Sequence, residues 1–97
     1  MPVEKQYPRH SREAASRIIE GEAVVVMPRE GVVRVLNETG ARIWQLSDGS
    51  RSLDEIARCL QGEFEVPLEQ LNDDLRGFVR EMAESGMMEL RDEPGTG

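Results

Sequence analysis

The sequence predicts an α+β fold, with a small antiparallel sheet of two or three strands followed by three helices. Two observations predict this order. Runs of β-branched residues recur between residues 17 and 36, and such runs are typical of strands. From residue 38 the apolar residues recur every three or four positions, which is the period of a helix that packs on one side. The length of 97 residues accommodates a single domain.

The strands are predicted from three short apolar runs, at residues 17–20, 22–27 and 32–36. Pro28 and Gly31 lie between the last two runs, and a proline followed by a glycine three residues later is typical of a hairpin turn. A sheet of this size is not stable alone. We therefore expect one of its faces to pack against the helices.

The helices are predicted from capping residues and from the apolar period. Asn37 is a favourable N-cap for a first helix over about residues 38–47. Ser52 and Glu55 have the spacing of a capping box at the start of the second helix. Pro67 fits the first position of the third helix, which Gly86 would end. Three consecutive helices beside a small sheet suggest a winged helix-turn-helix, with residues 87–90 available for a short final strand.

The organisation along the chain follows from where these patterns begin and end. Residues 1–16 are polar and are predicted to be partly mobile, residues 17–90 to form the folded domain, and residues 91–97 to be a flexible tail. No stretch approaches the 18 or so apolar residues of a membrane-spanning helix, and the N-terminal residues lack the apolar region of a secretory signal. We therefore expect no membrane segment and a cytoplasmic location.

The charge of the chain argues against nucleic acid as a partner. Acidic residues number 19 against 12 lysines and arginines, which gives a net charge of −7. Binding to nucleic acid depends largely on lysine and arginine side chains that neutralise phosphates, and the predicted third helix is itself acidic. An acidic winged helix-turn-helix regulator remains an alternative on fold alone.

Catalytic and metal-binding patterns are absent from the sequence. The chain has one histidine, His10, and one cysteine, Cys59, whereas a structural zinc site needs about four such ligands. No Gly-rich phosphate loop or nucleophile motif is present. We predict that the protein is not an enzyme and has no cofactor and no metal, with Cys59 a half-buried structural thiol and His10 a surface residue.

Two features favour binding of another chain. A sheet this small has edges, and residues 32–36 form a candidate edge strand whose unpaired N–H and C=O groups can accept a further strand. The third helix carries an apolar stripe wide enough to line a groove beside that edge. From the residues alone, the protein is predicted to be an interaction module of unspecified ligand.

The sequence also resembles a known family. Residues 36–49, LNETGARIWQLSDG, are similar to the LN-x-(T/S)-(A/G)-x-x-I-(W/L)-x-L-x-DG motif of the PqqD family, named for pyrroloquinoline quinone (PQQ) biosynthesis protein D. Residues 51–56 (RSLDEI), 74–79 (DLRGFV), 85–88 (SGMM) and 21–28 (GEAVVVMP) match further motifs at the same spacing. The resemblance covers about residues 17–90.

This resemblance implies a function and its partners. It implies a recognition element for ribosomally synthesised and post-translationally modified peptides (RiPPs), a non-catalytic winged helix-turn-helix module. Such a module binds the leader of a precursor peptide by strand addition. It then presents the peptide to a modifying enzyme, often a radical S-adenosylmethionine (SAM) protein. The pathway could be that of PQQ or of another RiPP.

The resemblance also implies which residues bind the leader. The edge of the third strand would be supplied by Val32, Val33, Arg34, Val35 and Leu36. The wall of the third helix would be supplied by Leu71, Asp74, Leu75, Phe78 and Val79. Arg34 and Arg76 would pair with acidic leader residues, and Asp74 with basic ones. Gly40 is expected to be a close-packing position, and Gly77 to permit close approach by a neighbour or by the leader.

A third function stays open beside the leader-binding module and the regulator. The protein could be a structural or oligomerisation domain, in which the edge at residues 32–36 pairs with a second copy. A homodimer of that kind would cover the same edge that a leader peptide needs.

Overall fold

The computed structural model describes residues 5–95, which form two small antiparallel sheets and three helices. The elements in chain order are β1 (Tyr7–His10), β2 (Ala15–Ile19), β3 (Glu22–Met27), β4 (Val32–Leu36), α1 (Glu38–Leu46), α2 (Leu53–Glu63), α3 (Leu68–Glu84) and β5 (Met88–Arg91). The predicted α+β class is confirmed, as is the three-stranded sheet followed by three helices.

The three-stranded sheet has the order β2–β3–β4, with antiparallel neighbours. Successive side chains on a strand point to opposite faces, and on β3 the alternate residues Ala23, Val25 and Met27 are buried. This inner face of the sheet packs against the helices. β2 and β4 are the two edges of the sheet.

The helices begin largely as their capping residues predict. The Asn37 side chain accepts a hydrogen bond from the Gly40 N–H at 2.9 Å. Ser52 and Glu55 form the expected capping box, in which each side chain accepts from the other residue's N–H, at 3.2 and 2.9 Å. Pro67 differs from the prediction. Its ψ of 140° is extended, so it is the N-cap of α3 and not the first helical residue.

The hydrophobic core lies between the inner sheet face and the three helices. Trp44 on α1 is only 2 % exposed, and its indole N–H donates to the Ser16 hydroxyl at 3.0 Å, which ties α1 to β2. The side chains buried around it from the other elements include Val25, Ile56, Leu60, Leu75, Val79 and Met82. Packing of these faces supplies most of the stability of such short elements.

The structure contains a second sheet, in which β1 pairs with β5. Of these two strands, only the final one was predicted. The final strand was foreseen near residues 87–90, but β1 arises in the segment predicted to be polar and partly mobile, with His10 opposite Met88. His10 stacks on Trp44, with ring centroids 3.7 Å apart, and its Nε2 lies 2.6 Å from the Trp44 carbonyl oxygen. The surface position expected for His10 is therefore wrong, because its ring packs on a core tryptophan distant in sequence.

The ends of the chain are described only in part. Arg91, which was assigned to the flexible tail, is the last residue of β5, and the Gly95 N–H donates to the Gly49 carbonyl at 2.8 Å. The predictions for residues 1–4 and 96–97 lie outside the described residues. Within residues 5–95, no helix has the length and apolar character needed to cross a membrane.

Candidate functional site

Strand β4 presents an open edge. It pairs with β3 on one side, and no strand among residues 5–95 pairs with its other side. Its register against β3 places Arg34 opposite the buried Val25 and Val35 opposite Val24. Val32, Arg34 and Leu36 therefore face the helices, whereas Val33 and Val35, 60 % and 65 % exposed, face the opposite way. On the side of the edge that faces the helices, Val33 and Val35 can therefore contribute only their main-chain groups.

A groove of about 200 Å³ separates the open edge of β4 from α3. On the strand side it is lined by Arg34, Val35, Leu36 and Asn37, at the floor by Gly40, and on the helix side by Phe78 and Glu81. Its volume is of the order of one large apolar side chain. The groove brings together the two features that the sequence analysis paired, an edge strand and the third helix.

Gly40 allows the floor of the groove to be close-packed. A Cβ placed there would lie 3.3 Å from Cε2 of Phe78 and 3.3 Å from Cβ of Leu36, which is tighter than ordinary carbon–carbon contact. The absence of a side chain at Gly40 therefore lets the first turn of α1 approach Phe78. This agrees with the close-packing role that the sequence suggested for this glycine.

An ion pair spans the groove. The Arg34 guanidinium donates to the Glu81 carboxylate, and its Nη1 lies 3.7 Å from Sδ of Met82. The Arg34 side chain is 32 % exposed and that of Glu81 62 %, and a pair this exposed contributes only about 0–1 kcal/mol to stability. Arg34 can therefore change partners at small cost when another anion enters the groove.

The predicted apolar wall of α3 divides between the core and the groove. Leu71, Leu75 and Val79 are 4 %, 1 % and 0 % exposed, so their side chains fill the core behind the wall. Phe78 is half-buried and contacts both the core and the groove. The stripe on α3 is wide because the helix packs on α2 and on β5 as well as facing the groove.

The charged residues of α3 lie on two different sides. Asp74 is exposed and precedes Phe78 by four residues, which places it on the same side of the helix. Arg76 precedes Phe78 by only two, about 200° around the helix, and it donates to Asp73. Asp74 therefore shares the side of α3 that Phe78 occupies but does not line the groove, and Arg76 lies on the far side of the helix.

Three groove residues were not among the predicted binding residues: Asn37, Gly40 and Glu81. Asn37 and Gly40 were assigned to capping and packing, which they also perform. Glu81 could have been found from its spacing, because it follows Phe78 by three residues and Asp74 by seven and so continues the same helical side.

The described residues show no arrangement suited to a metal. Between residues 5 and 95, no three His, Cys, Asp or Glu side chains cluster as ligands would. Cys59 is half-buried on α2 and packs against the core, as expected for a structural thiol. The groove therefore offers a ligand main-chain hydrogen-bonding groups, apolar surface and a few charged side chains.

The family follows from a comparison with known sequences. Residues 22–88 match the family described as coenzyme PQQ synthesis protein D (PqqD). The chain belongs to the PqqD family. The matched segment runs from β3 to the first residue of β5 and so includes both walls of the groove. The family resemblance on sequence motifs is confirmed.

Individual relatives of this PqqD-family chain carry names that refer to peptides. A PqqA binding protein of Rhizobium meliloti (strain 1021) is 31 % identical over 72 residues, covering 74 % of this chain and 71 % of the relative. The structure of TbiB1 in complex with the TbiA(beta) leader peptide superposes with a TM-score of 0.78 at 28 % identity, covering 84 % of this chain and 94 % of that one. A lasso peptide synthetase B1 complexed with its leader peptide gives 0.76 at 30 % identity, covering 86 % and 98 %.

Proposed function

We propose that this PqqD-family protein is a RiPP recognition element, a module that captures the leader of a ribosomal precursor peptide by adding it as a strand to β4. The observation that carries the proposal is the open edge of β4 directly beside an apolar groove. Two similar solved structures were determined with a leader peptide bound, which supports the same ligand class here.

Strand addition suits the dimensions of the edge. An added strand would lie about 4.8 Å from β4 and would form main-chain hydrogen bonds with residues 32–36. Alternate leader side chains would then point into the groove, where Leu36 and Phe78 offer apolar surface. Phe78 also packs against the hydrophobic core, to which Leu71, Leu75 and Val79 belong.

Charged groups at the groove would select the register of the leader more than its affinity. Asp74 and Glu81 present carboxylates from α3, so a basic leader residue is favoured against that wall. An acidic leader residue near Arg34 would exchange with Glu81 for the guanidinium. Exposed ion pairs of this kind contribute little energy but discriminate between registers.

The chain would perform no chemistry of its own. A radical SAM protein or another peptide-modifying enzyme would act on the presented peptide, in the PQQ pathway or in another RiPP pathway. The name of the Rhizobium relative favours the first, and the lasso peptide complexes favour the second. We place this function in the cytoplasm, where the sequence predicts the protein to reside.

The alternative of a DNA-binding regulator has no comparable support. The exposed side of α3 carries carboxylates, with Glu69, Asp73 and Glu84 adding to Asp74 and Glu81. Such a helix repels phosphates when it approaches a nucleic-acid groove.

Titration with a candidate precursor peptide, selected from the short reading frames near this chain's gene, tests the proposal. Phe78→Ala removes the aromatic surface of the groove and is expected to weaken leader binding at least tenfold, measured by calorimetry. Phe64→Ala is the matched control, since Phe64 is also half-buried but follows α2, outside the groove. Absence of binding by the wild-type protein, or equal losses in the two folded variants, would contradict the proposal.

A further inference from the structure

The three-stranded sheet has a second apolar surface, on the face away from the helices. Strand alternation and the register of the sheet place Ile19 of β2, Val24 and Val26 of β3, and Val33 and Val35 of β4 on this side. We call it the outer sheet face. Val26 lies opposite Val33, and Val24 opposite Val35, so these four valines form two apolar rows across β3 and β4.

The outer sheet face is open to solvent. Ile19 is 50 % exposed, and Val33 and Val35 are exposed by 60 % and 65 %. A shallow depression of about 310 Å³ lies on it between β2 and β3. No described segment covers it, so its apolar side chains are available to a partner.

The charge of the outer sheet face differs from that of the chain. The whole protein has a net charge of −7, but the charged residues that share this face are one arginine, Arg17, and one glutamate, Glu22, which cancel. In an acidic protein, a nearly neutral apolar face is suited to an apolar partner.

We propose that the outer sheet face is the docking surface for the enzyme that modifies the captured peptide, which meets it with an apolar surface of its own. This inference rests on the proposed function. The inference is based on the fact that the two surfaces adjoin on β4. The free edge of β4 belongs to the proposed peptide site, and its Val33 and Val35 side chains belong to the outer sheet face.

A bound leader would extend the docking surface. A strand added to β4 places every second side chain on the outer sheet face, so that three strands become four and the leader itself forms part of the surface. The enzyme would then contact protein and peptide together. It follows that enzyme and leader bind with positive coupling.

A second copy of the chain fits this face less well. Three strands of about five residues give a footprint of roughly 240 Å², whereas a stable interface takes about 800 Å² from each partner. Two outer sheet faces stacked on each other would be too small to hold a dimer. A larger enzyme can add contacts on the leader and beyond the sheet.

Two adjacent residues of β2 provide a matched pair for testing the inference. Ile18 and Ile19 are 41 % and 50 % exposed but point to opposite faces of the sheet. Ile19→Lys places a charge on the outer sheet face, and Ile18→Lys places the same charge on the other side. Val26→Lys is a second test at the centre of the face.

The assay uses a candidate precursor peptide and a candidate peptide-modifying enzyme, both selected from the reading frames near this chain's gene. Affinities are measured by calorimetry for the peptide alone, and for the enzyme with and without peptide. We expect Ile19→Lys and Val26→Lys to bind the peptide within twofold of wild type and the enzyme at least tenfold more weakly. The Ile18→Lys variant should bind the peptide and the enzyme with wild-type affinities. The peptide should also increase the affinity of the wild-type protein for the enzyme.

Two results would overturn the inference. The first is that Ile19→Lys and Val26→Lys both bind the enzyme as tightly as the wild-type protein does, while they still bind the peptide. The other is a wild-type dimer, seen by sedimentation, that Val26→Lys dissociates, which would assign the face to a second copy. Failure of the proposed function is distinguishable, because it appears as loss of peptide binding by the wild-type protein itself.

Discussion

Gly40 shows how a single residue determines the shape of the groove. Its amide donates to the capping side chain of Asn37, while its missing side chain leaves room for Phe78. The sequence suggested both roles, since asparagine is a preferred cap and glycine permits close approach. It could not show that the packed neighbour is Phe78, because that contact joins residues 38 positions apart.

Replacement of Gly40 by alanine is expected to destabilise the protein. The new Cβ would meet two atoms at 3.3 Å, and the resulting overpacking of about 1–3 kcal/mol exceeds the gain in helix propensity of roughly 1 kcal/mol. Urea unfolding measures the net loss. Gly62→Ala is the control, because a Cβ there meets nothing within 4 Å. An unchanged stability of Gly40→Ala would refute the close-packing role.

Gly77 is predicted to respond in the opposite direction. It lies inside α3, and a Cβ there would also meet nothing within 4 Å. The close approach that the sequence suggested for it does not occur within the described chain. Gly77→Ala should therefore raise the free energy of unfolding by about 0.5–1 kcal/mol. A lower free energy of unfolding than that of wild type would mean that this position has a steric constraint.

At the scale of elements, α3 shows where sequence reasoning ends. Periodicity identified the apolar stripe of Leu71, Leu75, Phe78 and Val79, but it gives only the angle of each side chain about the helix axis. Which part of the stripe is covered depends on the elements that pack there. Phe78 faces the groove because β4 leaves space beside it, and this is a property of the tertiary structure.

The start of α2 was predictable because its capping box is local in sequence. The backbone hydrogen bond from Ser52 lowers the pKa of Glu55 below its ordinary value of 4.5. A carboxyl whose pKa is lower in the folded state stabilises the protein above the unfolded pKa, and this stabilisation is lost as the pH falls through the folded value.

Acid should therefore weaken α2 through Glu55. We expect the free energy of unfolding to fall as the pH drops below about 4.5, and to fall less steeply in Glu55→Gln, whose side chain does not titrate. Urea unfolding between pH 7 and pH 3 gives the comparison. The variant should retain part of the dependence, because hydrogen bonds with Ser50 and Arg42 lower the pKa values of Asp48 and Glu63 respectively. Identical pH profiles for the two proteins would refute the contribution of Glu55.

At the scale of the whole molecule, the elements of the central domain were predictable and the β1–β5 sheet was not. The strands at residues 22–27 and 32–36 and the three helices each have a local signature of period, turn or cap. β1 contains a proline, an arginine and a histidine among four residues, which is not a strand pattern. It exists because β5 offers an edge and Trp44 offers a ring for His10.

The position of the groove was predictable for a similar reason. An edge strand and a broad helical stripe can be identified in the sequence, and the PqqD-family resemblance relates them. The assignment of side chains to faces was not predictable, because it depends on the register of β4 against β3. The outer sheet face likewise follows from that register.

Amide hydrogen exchange in β4, followed by NMR with and without the precursor leader, tests strand addition most directly. Alternate amides of an edge strand point towards its free side. We predict that alternate amides among residues 32–36 exchange more slowly once the leader is bound, while those already paired with β3 change little. Binding of the leader without added protection in β4 would contradict the account.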